Sequence, residues 1–231
     1  MGLPEYASHD AFAYYAMWTV WQVKLGRLGA DRLAPAAEAS AFMTNLSRHG
    51  VVGRGIYDLA GMRAGADYMT WWHAASAEAL QTAQARLRRT TALGRASVPV
   101  WSQVAAHRPA EFDRSHLPAF LAGEAPRRYA CVYPSRRSVD WFLLSEAERQ
   151  QMLAEHDLVT RGYPDVRTTT LQAFALSDYE WIIAFEADEL HRLVELLRRL
   201  RSTSIRRHVR GESPLYTGPR VQIDHVVTSA A

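Results

Sequence analysis

Residues 14–23, Tyr14-Tyr15-Ala16-Met17-Trp18-Thr19-Val20-Trp21-Gln22-Val23, are dense in aromatic and β-branched side chains and predict a strand. Downstream, Leu33 to His49 has Ala-rich helical composition, with Gly50 placed as its cap. Val51 to Leu59 and Ala66 to His73 flank a Gly61 turn and predict a hairpin. Ala77 to Leu93 is helical, with Leu80, Ala83, Leu87 and Leu93 on one stripe. Ser97 to Ala106 closes the unit as a strand, giving the order β-α-β-β-α-β. Upstream, Met1 to Phe12 looks like a loose terminus.

The order repeats. Arg128 to Tyr133 predicts a strand, and Ser145 to Val159 a helix opened by a Ser145/Glu148 capping box. Val166 to Leu176 and Tyr179 to Phe185 form a second hairpin, with Ser177-Asp178 as its turn. Asp188 to Leu200 is helical and Ile205 to Val209 closes the unit. Two such units in tandem predict an α+β chain of two ferredoxin-like halves. The domain boundaries follow: an extension over 1–12, a first half over 13–106, a Pro-rich polar linker over 107–126, a second half over 127–220 and a loose tail over 221–231.

The 231 residues are 48% hydrophobic and 22% charged, with seven Trp, which is ample for a packed core and excludes disorder for most of the chain. The longest nearly apolar stretch, Ala11 to Val23, is shorter than the ~20 residues a bilayer needs, so no membrane span is expected. It also lacks the flanks of a secretory signal. One cysteine, Cys131, excludes a disulfide framework and Cys-clustered metal sites. A cytoplasmic protein is expected. Of the 27 basic residues only Lys24 is lysine, a skew that points to coding bias. The run Arg198, Arg199, Arg201, Arg206, Arg207 and Arg210 is partly a helix face, and no nucleic-acid partner is expected.

Four histidines can be compared. His156 sits mid-helix with Met152 and Val159 on its face, where a histidine is more often core than ligand. His116 lies in the linker between Phe112 and Phe120, as loop or pocket wall. His73 and His191 have no supporting pattern, and no HxxxH or HExxH spacing is present. Tyr133 stands at a strand exit before Pro134, which ends the ladder, with Arg136 and Arg137 following. A P-loop, a nucleophile elbow and a Rossmann glycine fingerprint are absent.

Several stretches nevertheless resemble one family. They are Glu111 to Phe120, Val132-Tyr133-Pro134, Arg161-Gly162-Tyr163-Pro164-Asp165-Val166-Arg167, Asp178 to His191 and Tyr216-Thr217-Gly218. They are similar to the actinobacterial coproheme decarboxylases of the chlorite dismutase superfamily. The resemblance implies a dimeric α+β barrel subunit in a homopentamer. It implies iron coproporphyrin III (coproheme) as both substrate and cofactor. Two propionates become vinyls at the expense of hydrogen peroxide, giving haem b and carbon dioxide, with a ferrochelatase as transient supplier. By the same resemblance His156 is the iron ligand, and His116 moves the peroxide proton. Tyr133 carries a tyrosyl radical that takes hydrogen from the propionate. Arg137 and, more weakly, Arg210 bind propionates, and Trp141 and Trp181 wall the porphyrin.

The chain departs from the family pattern at Ser135 and Arg136, where an aromatic and a hydrophobic residue are usual, at Phe142 for Tyr, and at Asp157 and Leu158 after the histidine. All five are expected beside the pocket. They keep open a second reading, a divergent haem-binding relative with another peroxidase-like, sensing or haem-transfer role. Chlorite dismutation and dye-decolourising peroxidation stand further off, since the matched distal residue is His116.

Overall fold

The computed structural model describes residues 14–107 and 117–230. In the first half, β1 (Tyr14–Val23), β2 (Val51–Asp58), β3 (Tyr68–Ala74) and β4 (Ser97–His107) lie in the order β4-β1-β3-β2. In the second, β5 (Tyr129–Arg137), β6 (Arg167–Gln172), β7 (Trp181–Ala187) and β9 (Tyr216–Val221) lie in the order β6-β7-β5-β9. Strand for strand the two orders are the same, and every pairing is antiparallel. The second strand of each half meets the fourth of the other: Ile56 and Tyr57 pair with Val221 and Arg220, and Ala106 pairs with Gln172. The eight strands thus close into a barrel, leaving two thin seams and no open edge. A short strand β8 (Val209–Gly211) lies outside the ring, pairing with the end of β5.

Helices cover the outside. The first half carries α1 (Leu33–Asn45), α2 (Ala77–Thr90) and α3 (Ala92–Ala96). The second carries α4 (Val139–Leu143), α5 (Glu146–Arg161) and α6 (Leu190–Leu200), and α7 (Ile223–Ser229) follows β9. Starts are fixed locally. Ser76 accepts from the Ala79 N–H to begin α2, Ser138 caps α4, and the Ser145/Glu148 capping box opens α5.

Strand alternation then sorts side chains into three cores. Ala16, Trp18 and Val20 fill the barrel with Trp71, Val132 and Ile182. Met17 and Trp21 point outward, under α2, with Trp72 and Leu80. Cys131 and Tyr133 point outward in the second half, against Phe185, Leu193, Leu196 and Leu200. Trp18, Trp21, Trp71 and Trp72 are fully buried, each worth up to about 5 kcal/mol of apolar burial. A one-residue slip of β1 or β3 would swap their faces, so these rings hold the register.

Four expectations need correction. The closing strand of the second half is β9, not Ile205 to Val209; Ser204 to His208 is a 3-10 turn, and Val209 lies in β8. Gly218 makes β9 possible, because a Cβ there would sit 1.9 Å from the Asp58 carbonyl oxygen. The segment after 221 is not loose: α7 buries Ile223, Val226 and Val227 in the core of the first half. Pro134 does not end β5, which runs to Arg137. Pro134 falls where β9 has ended at Val132 and β8 has yet to begin at Arg136, so its missing donor breaks no ladder on that side. The second hairpin turns over residues 173–180 rather than at Ser177-Asp178 alone. Met1 to Phe12 lies outside the described residues.

Candidate functional site

The outward face of β5 continues past the core. Cys131 and Tyr133 are followed on that face by Ser135 and Arg137, two residues apart each time. Tyr133, Ser135 and Arg137 line one cavity, of about 40 Å³, with His156 from α5 opposite. Leu197 of α6 and Arg201, which follows that helix, line it too, and both also border a larger apolar cavity of about 390 Å³ against Cys131 and Thr217. Arg206, from the 3-10 turn, and Glu212, just after β8, complete the polar end.

Charge and burial tune these groups. Burial first, then the negative charge of Glu212, raises the Tyr133 phenol well above its ordinary value, against the opposing pull of Arg137 and Arg201. Tyr133 therefore keeps its proton across the physiological range. Burial also lowers the His156 imidazole; Arg137 lowers it further, while Asp157 and Glu212 oppose. Its neutral form, with a free nitrogen lone pair, is the form a metal needs. Arg137 is brought down to about 10, chiefly by burial, and stays charged. Its guanidinium lies 4.9 Å from the Trp141 ring and 5.6 Å from the Trp181 ring.

Two buried polar atoms of this cavity, Arg137 Nε and Ser135 Oγ, have no hydrogen-bond partner. Buried polar atoms are normally satisfied, so the wall is built for a polar ligand, and an arginine fork suits a carboxylate. A ligand site usually spans roughly 300–1,000 Å³. The adjoining cavity of about 390 Å³, which shares Leu197 and Arg201 with this one, falls in that range, and α5, which flanks the smaller cavity, has no buried residue. An iron porphyrin carrying carboxylates fits this donor set, with an apolar slot beneath α6, one neutral histidine and a cationic rim.

The structure thus brings Tyr133, Arg137 and His156 together. Trp141 and Trp181 stand one layer back, on Arg137, with Trp181 stacked on Phe142 at 6.2 Å. Arg210 is exposed on β8 and donates to the carbonyls of Arg207 and Val209; the alternation that turns Val209 inward turns Arg210 out. His116 lies outside the described residues. Of the five departures Ser135 lines the cavity, while Asp157 stands 4.0 Å from His156 Nδ1. Arg136 is exposed and donates to the Asp178 carbonyl at 2.6 Å, and Leu158 is 73% exposed. Those two do not face the pocket, correcting that expectation. His73 is buried at the other core, 4.7 Å from Phe120, and His191 is exposed on α6.

Sequence reasoning missed Arg201, Arg206 and Glu212. Arg201 lies four residues after Leu197 and so shares its face, a signal open to view; Arg206 and Glu212 come in through an irregular turn that no periodicity marks.

A family model for chlorite dismutase matches residues 32–221. The chain is 56% identical over 213 residues to the coproheme decarboxylase of Mycolicibacterium smegmatis, covering 92% of each. Among solved structures, the chlorite dismutase of Candidatus Nitrospira defluvii in complex with imidazole superposes with a TM-score of 0.82 at 20% identity, over 94% of each chain. A variant of the same enzyme gives 0.83, also at 20% and 94% of each. At that identity these structures speak for the fold alone.

Proposed function

This chain belongs to the chlorite dismutase family, and from that membership we propose that it is a coproheme decarboxylase, an enzyme that converts iron coproporphyrin III to haem b. The convergence of Tyr133, Arg137 and His156 on one cavity carries the reading, in a chain 56% identical to a coproheme decarboxylase. The net reaction balances: each propionate, with one hydrogen peroxide and one proton, gives a vinyl, carbon dioxide and two waters.

When bound, the iron porphyrin supplies the redox centre that peroxide oxidises and is itself the molecule decarboxylated. His156 offers its neutral imidazole nitrogen to the iron. Tyr133, held protonated by burial, would give its electron and proton together to the centre that peroxide has oxidised. The resulting tyrosyl radical takes a hydrogen atom from the propionate β-carbon, which restores the phenol. The propionate radical would then give its second electron to the centre that peroxide has oxidised, and with that loss carbon dioxide would leave and the vinyl remain. Arg137, pressed between Trp141 and Trp181, holds a propionate at a fixed angle. His116 moves the peroxide proton. Arg210 has no such role in this arrangement.

Of the departures, Arg136 and Leu158 lend nothing to the haem-transfer alternative, since they point away from the site, whereas Ser135 and Asp157 stand at it. The proposal extends to a cytoplasmic location, a homo-oligomer of five subunits and delivery of substrate by a ferrochelatase. Among the described residues no helix is long and apolar enough to cross a membrane.

The test is a titration of the purified protein with iron coproporphyrin III, then peroxide, with mass spectrometry of the porphyrin. Two successive losses of carbon dioxide plus two hydrogens are expected. Tight binding without a mass change would refute the decarboxylase and support the haem-binding alternative.

A further inference from the structure

The polar end of the cavity holds three guanidinium groups, Arg137, Arg201 and Arg206, and one carboxylate, Glu212. Glu212 Oε2 pairs with Arg206 Nη1 and lies 3.9 Å from Arg201 Nη2. The Glu212 side chain is 17% exposed, that of Arg206 33% and that of Arg201 54%, so the carboxylate is the sheltered member and Arg201 reaches solvent. Among the lining residues the count leaves an excess of two positive charges, offset in part by Glu180, whose carboxylate accepts from the Arg137 backbone N–H at 3.0 Å. Glu212 follows β8, which among the described residues pairs only with β5, at Arg136 and Arg137. It therefore stands on a short flank that can yield without opening the barrel.

From this geometry we infer that Glu212 is a placeholder carboxylate: it occupies Arg201 and Arg206 until a substrate propionate displaces it, and takes them back once that propionate has become a vinyl. The inference rests on the decarboxylase reading and deepens it. A tetracarboxylate enters; a dicarboxylate remains after two propionates have gone. Beside a bare vinyl Arg206, one-third exposed, would lose its anion, while Arg201, about half exposed, would turn to water, at a cost of a few-fold in affinity. Glu212 removes that cost from the product state. It also competes with the substrate, which trims ground-state affinity so that binding does not become a trap.

Competition and a merely structural role part at one comparison. Affinities for metal-free coproporphyrin III and metal-free protoporphyrin IX are measured by fluorescence titration at constant salt, with wild-type protein and Glu212→Gln. These probes carry four and two carboxylates and undergo no turnover. A placeholder predicts that Glu212→Gln binds coproporphyrin about tenfold more tightly, equal to about 1.4 kcal/mol, and protoporphyrin within about twofold of wild type. Equal change for both porphyrins, or weaker binding of coproporphyrin, overturns it.

Arg206→Gln supplies an independent arm. It should weaken coproporphyrin about tenfold and leave protoporphyrin nearly unchanged, and in its presence Glu212→Gln should lose most of its effect. Additive effects of the two substitutions overturn the inference. Failure of the underlying reading shows separately, as an unchanged porphyrin mass when wild-type protein meets iron coproporphyrin III and peroxide. Binding of neither metal-free porphyrin by wild type refutes the placeholder.

Discussion

Arg54 and Glu186 form an ion pair that ties the two halves together, and breaking it should unfold the protein more readily than any surface change. Arg54 lies on β2 and Glu186 on β7, with side chains 4% and 1% exposed. Glu186 accepts from Arg54 Nη2 at 2.7 Å and Nε at 3.2 Å, from the Arg127 backbone N–H at 3.3 Å and from the Tyr57 hydroxyl at 3.5 Å. Arg54 also donates to the Glu124 carbonyl, pinning the linker. Glu186→Leu would leave a buried guanidinium without its anion, a loss of about 3–5 kcal/mol. Arg54→Met should cost a similar amount. The double variant replaces the pair with apolar volume and should return to within about 2 kcal/mol of wild type, the remainder being the stranded donors of Tyr57 and Arg127. Urea unfolding followed by tryptophan fluorescence reads this as midpoint shifts at constant slope. Each single variant should fall by more than about 1 M. Single variants within about 0.3 M of wild type, or a double variant as weak as the sum of the singles, would refute the reasoning.

Three further outcomes are expected. Tyr133→Phe should bind iron coproporphyrin III within about threefold of wild type yet release no carbon dioxide on addition of peroxide, which product mass spectrometry checks. Gly218→Ala forces a Cβ onto the Asp58 carbonyl and should open the seam between β2 and β9, costing at least about 3 kcal/mol and lowering Tm by about 10 °C in a calorimetric scan. His73, buried beside Phe120, is lowered from 6.5 to about 4, first by burial and then by Arg54. It is neutral in the fold and protonated in the unfolded chain between those values. Its contribution is thus complete above pH 6.5 and is lost as pH falls toward 4, up to about 3 kcal/mol at about 1.4 kcal/mol per unit. His73→Phe should flatten that part of the curve of stability against pH; an unchanged slope would count against it.

The two tandem halves were legible because their signals recur, whereas their closure into a barrel came only from the family resemblance. Trp18 and Trp21 announce a strand with both faces buried, and the same element order recurs after residue 127. What hid β9 was Gly218-Pro219, a pair that reads as a turn when its neighbour is unknown; only the approach of Asp58 explains the glycine. Helix α7 hid because Asp224, His225, Thr228 and Ser229 dilute its three buried apolar residues. At the site, Tyr133 and Arg137 could be placed on one face by counting in twos along β5. Their meeting with His156 could not, because α5 has no buried stripe to fix its rotation. Arg210 was misjudged for the opposite reason: it belongs to an arginine run, and a three-residue strand reverses its direction relative to Val209.

Helix α7 has a consequence for synthesis on the ribosome. Its Ile223, Val226 and Val227 complete the hydrophobic core beneath α1, although they follow the whole second half in the chain. The amino-terminal half therefore cannot finish burying its apolar surface while translation is still passing through the second. Until residues 223–229 emerge, that core keeps a sticky opening, and a nascent chain stalled after residue 220 would be a natural client for a holdase chaperone.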